Sequence, residues 1–113
     1  MYAEGMGNVQ ELARIRALFR KNRPYFSALG NEERQALVLL MLEGRNLSVG
    51  ELAERTRLSR PTVSHHLKIL KDAGMVSPRK HGNKTIYCVK PGQYLTALGE
   101  LINEAKRLAH KEG

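Results

Sequence analysis

Cations and short polar side chains are concentrated between residues 57 and 84 of this 113-residue chain. Seven lysines and arginines and one acid, Asp72, give this segment a charge of +6, within a net charge of +8. Hydroxyl and imidazole groups such as Ser64 and His65 stand among the cations. Cations contact phosphates without regard to sequence, whereas short polar groups can bond to base edges. The alternative interpretation is that these cations only form a solvated basic face. It is less favoured because the charge lies on one predicted helix and the hairpin after it.

Side chains arranged for catalysis do not occur in the sequence. Ser48 and the neighbouring Ser64 and His65 have no acid placed to complete a triad, and there is no glycine-rich phosphate loop. Cys88 is the only cysteine, so no disulfide can form within the chain. No apolar run reaches the roughly 18 residues of a membrane span, and Met1–Gly7 lacks the pattern of a signal peptide. We expect a cytoplasmic protein that is not an enzyme and has no cofactor and no membrane partner.

The N-terminal half of the chain is predicted to be helical. Residues 1–7 are expected to be disordered, and residues 8–113 to form a single domain. Helical spacing of apolar residues predicts a first helix over residues 8–21. Pro24 is expected to interrupt it, because proline removes a helical hydrogen bond. A short second piece then ends at Gly30.

Two further helices have clear start and stop signals. Asn31 can cap one of them, its many leucines indicate a central, buried position, and Gly44 ends it. Ser48 and Glu51 have the spacing of a capping box, which predicts a short helix that ends near Thr56.

The next helix is predicted from Arg60 to about Ala73. Ser59 can cap it, and Pro61 in its first turn costs no hydrogen bond. The predicted inner stripe comprises Val63, Leu67 and Leu70. Two helices joined by a short turn, the second polar on its outer face, are typical of a helix-turn-helix.

Two segments of alternating polarity follow, residues 75–80 and 85–89, and the intervening Gly82 and Asn83 suit a type II′ turn. A last helix is predicted from Pro91 to about residue 111. The fold expected is mainly α with a small β-hairpin, a winged helix-turn-helix of about five helices and a two-stranded wing.

The outer face of the helix after Ser59 is predicted to bind DNA, because an α-helix fits the major groove. Base edges are within reach of its first half, and phosphates are the expected partners of the cations farther along and on the wing. The first half presents Arg60, Thr62, Ser64 and His65, and the cations are Lys68, Lys71, Arg79, Lys80 and Lys84. Three alternatives stay open, namely that Arg60 only anchors a phosphate, that Thr62 only supports the first turn, and that His66 is packed inside.

In several stretches the sequence resembles the ArsR/SmtB-type repressors. They are FSALGNEER at residues 26–34, LSVGELA at 47–53, SRPTVSHHLKILKDAGMV at 59–76, and the wing from Gly82 to Tyr87. The similarity covers roughly residues 26–90, and the combination of motifs is more specific than any one of them.

The resemblance implies a homodimer that binds a palindromic operator and represses transcription. It places the residues that read DNA at Val49, Arg60, Pro61, Thr62, Ser64 and His65. It also implies that the first and last helices pair across the dimer axis, which agrees with the apolar stripes left over on both. These stripes comprise Val9, Leu12, Ile15 and Phe19 in the first helix and Leu95, Leu98, Leu101, Ile102 and Ala105 in the last.

Many proteins of this type release DNA when they bind metal, but the matching positions here do not favour it. One site type needs two cysteines where this chain has residues 51–55. Another falls on Pro91, Gln93, Glu104 and Arg107, and neither proline nor arginine ligates a metal. We therefore expect no metal site. Cys88 is expected to be a small apolar residue, and redox sensing through it is the less favoured alternative because no second cysteine is present in the sequence. The identity of the effector stays open: it can be an unknown small molecule or another protein, or there can be no effector at all.

A second function class is also compatible with the sequence. A winged helix can serve as an interaction module that docks on another protein and binds DNA weakly. Salt dependence separates the two, since operator binding should weaken steeply as salt rises.

Overall fold

The computed structural model describes residues 9–44 and 46–112. In chain order, its elements are α1 (Val9–Leu29), α2 (Glu32–Leu42), α3 (Val49–Thr56), α4 (Arg60–Asp72), β1 (Val76–His81), β2 (Lys84–Val89) and α5 (Gln93–Glu112). The predicted fold, mainly helical with a two-stranded hairpin, is confirmed. The segment expected to be disordered, residues 1–7, lies outside the described residues.

α1 is one continuous helix through Pro24, so the predicted interruption at that residue is wrong. A proline leaves the carbonyl four residues earlier, here that of Arg20, without its helical donor. Arg20 and Pro24 both lie on the exposed side of α1, where water can reach that carbonyl. The other side carries the buried residues Leu18, Asn22 and Ala28. Packing of that side holds the helix together beyond the proline.

α2 begins as the sequence predicts but is not buried on all sides. The side chain of Asn31 accepts a hydrogen bond of 2.9 Å from a backbone N–H of the first turn. Leu37 and Met41, four residues apart, face the core. Leu39 and Leu42 are 64% and 62% exposed, so the expectation of an all-round apolar environment is wrong.

The helix-turn-helix formed by α3 and α4 has the predicted caps. Ser48 and Glu51 form the complete capping box of α3, and Ser59 caps α4. Between the helices, Arg57 adopts a left-handed conformation with φ of 60°. Both helices bury their inner faces in one core with α2 and the base of the hairpin. Its fully buried members include Leu37, Leu52, Val63, Leu67, Leu70 and Val76.

The wing is an antiparallel hairpin that is attached to the start of α3. Its two-residue loop has a positive φ of 65° at Gly82, as a type II′ turn requires at its first position. The backbone N–H of Tyr87 donates to the carbonyl of Leu47 at 3.4 Å. Ser48 also forms a bridge with Ile86. The wing is therefore held in a fixed position relative to the helix-turn-helix.

α5 begins at Gln93, two residues later than predicted, and packs against α1. The side-chain amide of Asn22 in α1 donates to the carbonyl of Ala97 in α5 at 3.0 Å. The protomer measures 60 × 23 × 21 Å, with a radius of gyration of 18.1 Å. A compact chain of this length has a radius of about 13 Å. The chain is elongated, and its two longest helices leave part of their apolar surface uncovered.

Candidate nucleic-acid interface

The outer face of α4 presents polar side chains to solvent. Arg60, Ser64, His65 and Lys68 are exposed, whereas Val63, Leu67 and Leu70 on the inner face are buried. Pro61 and Lys71 are also exposed, and Thr62 is half-buried. The structure thus separates the predicted DNA-facing positions of α4 from its core positions. Val49, which the resemblance placed in the same set, is half-buried at the start of α3.

Arg60 lies across the neighbouring helix at Gly50. A Cβ atom added to Gly50 would lie 2.7 Å from a terminal guanidinium nitrogen of Arg60, closer than real contacts allow. The absence of a side chain at Gly50 therefore gives the guanidinium its place beside α3. Sequence patterns did not indicate this contact, because residues 50 and 60 belong to different helices.

Thr62 takes part in the cap of α4. The hydroxyl of Ser59 donates to the hydroxyl of Thr62 at 2.8 Å and accepts from its backbone N–H at 3.2 Å. This arrangement supports the first turn, which was one of the open alternatives for Thr62. A threonine hydroxyl can still donate to a further acceptor, so a role in contacting DNA stays a prediction.

His66, in contrast to its neighbour His65, is buried, as one of the alternatives held. Its Nδ1 lies 3.2 Å from a guanidinium nitrogen of Arg34, and its Nε2 lies 2.7 Å from Oε1 of Glu33. A guanidinium only donates, so Nδ1 accepts and Nε2 carries the hydrogen donated to Glu33. Arg34 also donates to the carbonyl of Ala28 at 2.7 Å. His66 thereby connects α4 to the first turn of α2, and Arg34 extends this network to the end of α1.

The wing contributes cations at its tip, but they are not equivalent. Arg79 and Lys80 on β1 are exposed. The ammonium of Lys84 lies 3.0 Å from Oε1 of Glu51, in the first turn of α3. That carboxylate also accepts from the backbone N–H of Ser48 at 2.9 Å. The hydrogen bond from Ser48 and then that from Lys84 lower the pKa of Glu51 to about 2.

Lys68 is paired in a similar way within α4. Its ammonium lies 2.9 Å from a carboxylate oxygen of Asp72, one turn later, and both side chains are largely exposed. An exposed pair of this kind contributes little to stability and opens readily. Lys68 is therefore able to exchange Asp72 for another anion.

The match to known proteins accords with this geometry. The family model for the arsR family of bacterial regulatory proteins matches residues 32–77, which run from α2 into the hairpin. The transcriptional repressor SdpR of Bacillus subtilis is 33% identical over 78 residues, which are 69% of this chain and 81% of SdpR. The transcriptional activator HlyU of Vibrio cholerae is 32% identical over 96 residues, 85% of this chain and 84% of HlyU. The chain belongs to the ArsR family. It is a DNA-binding transcriptional regulator.

Solved structures of ArsR-family proteins share the fold. The reduced form of HlyU from Vibrio cholerae superposes with a TM-score of 0.61 at 29% identity, covering 82% of this chain and 94% of that one. An ArsR-like regulator from Rhodococcus sp. RHA1 gives a TM-score of 0.69 at 24% identity, covering 83% and 89%. At that identity, the second likeness shows the winged-helix fold alone.

Two of the four positions at which the resemblance to ArsR-type proteins located metal ligands, Glu104 and Arg107, have other contacts here. Glu104, buried near the end of α5, accepts hydrogen bonds from Arg107, and its other oxygen lies 3.7 Å from Arg14 of α1. The bonds from Arg107 hold the pKa of Glu104 below its usual range. Among residues 9–44 and 46–112, no group of three or more potential ligands could hold a metal ion. Cys88 is half-buried on β2.

The predicted dimerisation stripes of this ArsR-family chain divide into exposed and buried positions. Val9, Phe19, Leu95 and Ile102 are large apolar residues that are at least half exposed, and Ala105 is exposed too. Leu12, Ile15 and Leu98 are half-buried, whereas Leu101 is already buried within the protomer.

In the described residues, no helix is long and apolar enough to cross a membrane.

Proposed function

We propose that this ArsR-family chain is a homodimeric repressor that is not an enzyme and that binds a palindromic operator. The observation that carries the proposal is the outer face of α4, which presents exposed polar and cationic groups beside a cationic wing in a fixed position. α4 has 13 residues and is therefore about 20 Å long, enough to cross one major groove.

The first half of α4 is the proposed base-reading segment. The guanidinium of Arg60 can donate two parallel hydrogen bonds to a guanine. Ser64 and His65 are exposed on the same side and can reach base edges or phosphates. Val49, Pro61 and Thr62 are proposed to contact DNA at the margin of this segment.

The proposed phosphate contacts come from five cations. Two of them, Arg79 and Lys80, extend the positive surface along β1 to the tip of the wing. The others are Lys68, Lys71 and Lys84. Contacts of this kind set the register and most of the affinity but carry no sequence information.

The proposed dimer is formed by α1 and α5. Phe19, Leu95 and Ile102 expose between 51% and 57% of their surface on these two helices. The rings of Phe19 and Phe26 lie 6.2 Å apart on the same helix and form one apolar patch. An elongated protomer with such a patch is expected to cover it with a second copy. Two copies of α4 related by a twofold axis would contact half-sites about 10 base pairs apart, or a multiple of that spacing.

Selection of bound sequences from a random duplex pool tests this function. We expect enrichment of a palindrome, and we expect the selected duplex to bind the protein in the presence of excess unrelated DNA. The logarithm of its affinity should fall linearly with the logarithm of salt concentration. Weak binding to all duplexes without enrichment would contradict the proposal and favour a module that docks on a protein.

A further inference from the structure

An open groove of about 450 Å³ runs between α2 and the end of α3, on the side of α2 that faces away from the core. Its floor is apolar and comprises Ala36, Leu39, Leu40 and Leu58. Leu39 is 64% exposed and is the most open residue of this floor, because the other three are half-buried. Sites for small organic molecules have this size and an apolar floor with a few polar groups.

The rim of the groove is acidic, although the protein as a whole is basic. Glu32, Glu33 and Glu43 line it, and Arg55 is the one cation among the lining residues. The groove therefore carries a net negative charge within a chain of net charge +8. Screening at physiological salt limits the reach of distant charges to about 8 Å, so the nearby carboxylates dominate inside the groove. An anion is disfavoured there, and a cation is favoured.

Glu33 connects the groove to the helix proposed to read DNA. Its Oε1 accepts the hydrogen bond from Nε2 of His66 in α4, and the Glu33 side chain is 48% exposed. His66 is held on its other nitrogen by Arg34 and directly follows His65, which is exposed on the DNA-facing side. A cation that approaches Glu33 from the groove would compete with His66 for the same carboxylate.

We propose that this groove binds a small organic monocation, a protonated amine carried on an apolar ring or short chain, and that the amine draws Glu33 away from His66. A metal ion is a poor alternative, because among the described residues no three ligating side chains converge. The apolar part of the ligand covers Leu39, and its ammonium group meets Glu33. Loss of the bond to His66 loosens α4, so that the amine acts as an effector. This last step rests on the proposed function, whereas binding in the groove does not.

The first experiment measures binding to the free, full-length protein labelled with ¹⁵N. The probe is 2-phenylethylamine, with 2-phenylethanol as the neutral analogue and 3-phenylpropionate as the anionic one. We expect the amine to shift the amide signals of Ala36, Leu39 and Leu58 in a saturable way. It should bind about tenfold more tightly than the alcohol, because one charge-assisted hydrogen bond separates them.

Three variants make this test specific. Glu33→Gln should abolish the advantage of the amine over the alcohol, and Leu39→Asn should weaken both ligands. Glu54→Gln, which removes an exposed acid of α3 outside the groove, should change neither. Equal binding of amine and alcohol, an equal loss in Glu54→Gln, or signals that move elsewhere would each overturn the proposed site.

A second experiment measures the affinity for the selected duplex with and without saturating amine. We expect the amine to weaken binding at least threefold in the wild type and to have no effect in Glu33→Gln. An amine that binds in the groove but leaves the affinity unchanged would overturn the coupling to α4. Failure to bind any duplex without amine would instead contradict the proposed function and leave the binding result standing.

Discussion

The ammonium of Lys84 lies 3.0 Å from Oε1 of Glu51, and this pair joins the tip of the wing to the first turn of α3. The same oxygen closes the capping box with the backbone of Ser48. One carboxylate therefore contacts both the start of the helix-turn-helix and the tip of the wing. The sequence pattern predicted only a phosphate contact for Lys84 and did not indicate this second role.

The Glu51 carboxylate should make stability depend on pH in the acid range. Its pKa is lowered from 4.5 to about 2 in the folded protein, so the charged form is favoured by folding. The stabilisation is fully present above pH 4.5 and is lost as the pH falls toward 2. Thermal unfolding of wild type and Glu51→Gln at several pH values checks this. The wild type should be the more stable near neutrality and lose that advantage in acid; a constant difference would contradict the account.

Substitution of His66 should lower the stability of the fold, whereas substitution of its neighbour His65 should weaken operator binding. His66→Ala removes a buried group bonded to Glu33 and Arg34, and should destabilise the fold by about 1–3 kcal/mol. His65→Ala, at an exposed position, should change stability by less than about 0.5 kcal/mol but weaken operator binding. Chemical denaturation and duplex titration measure the two effects. A stable His66→Ala variant would show that the bonds to Glu33 and Arg34 contribute little.

Replacement of Arg60 by alanine should cost about 1–3 kcal/mol of binding to the selected duplex and relax the preference at one base position. The reason is that the variant cannot form a bidentate bond to guanine, while the fold keeps its caps. Lys90→Ala is the matched control, since Lys90 is an exposed cation at the base of the hairpin. An equal loss on all duplexes would identify Arg60 as a phosphate anchor instead.

The wing cations Arg79 and Lys80 should contribute affinity without specificity. Their double replacement by alanine should reduce the slope of log affinity against log salt by about 1.8, because each phosphate that a cation neutralises adds about 0.9 to that slope. Base preference in a repeated selection should stay the same. If the salt slope of the double variant matches that of Lys90→Ala, the wing does not touch the backbone of DNA.

The exposed apolar residues of α1 and α5 should hold the dimer together. Phe19→Glu combined with Ile102→Glu places charges in the proposed interface and should give monomers with little operator affinity. Leu39→Glu, at a leucine of α2 that is 64% exposed, is the control and should stay dimeric. Sedimentation velocity distinguishes the species. A double variant that stays dimeric would show that the dimer interface does not depend on these two residues.

Local signals in the sequence were sufficient for the fold. Caps such as Ser59 and stop signals such as Gly44 act within one turn of chain, so they can be recognised without a structure. The continuous α1 could not be foreseen, because packing against elements distant in the sequence offsets the cost of Pro24. The exposed leucine Leu39 was missed for the same reason, since apolar composition does not show which side of a helix another element covers.

The sequence predicted which residues of α4 form the exposed surface of the candidate interface. It did not predict the side-chain contacts that connect α4 to the other helices. The helical period separates Ser64 and His65 from the core positions of α4. The link from His66 to Glu33 joins residues 33 positions apart, and no local pattern indicates such a contact. The link between Gly50 and Arg60 likewise depends on how α3 and α4 cross.

Mapping of backbone amide signals upon addition of the selected duplex tests the central claim most directly. We expect the largest shifts on Arg60, Ser64 and His65 of α4 and on Arg79 and Lys80 of the wing. Signals on the groove side of α2 should change little. Shifts confined to α2 or α5, with α4 and the wing unaffected, would contradict the assignment of α4 as the helix that reads DNA.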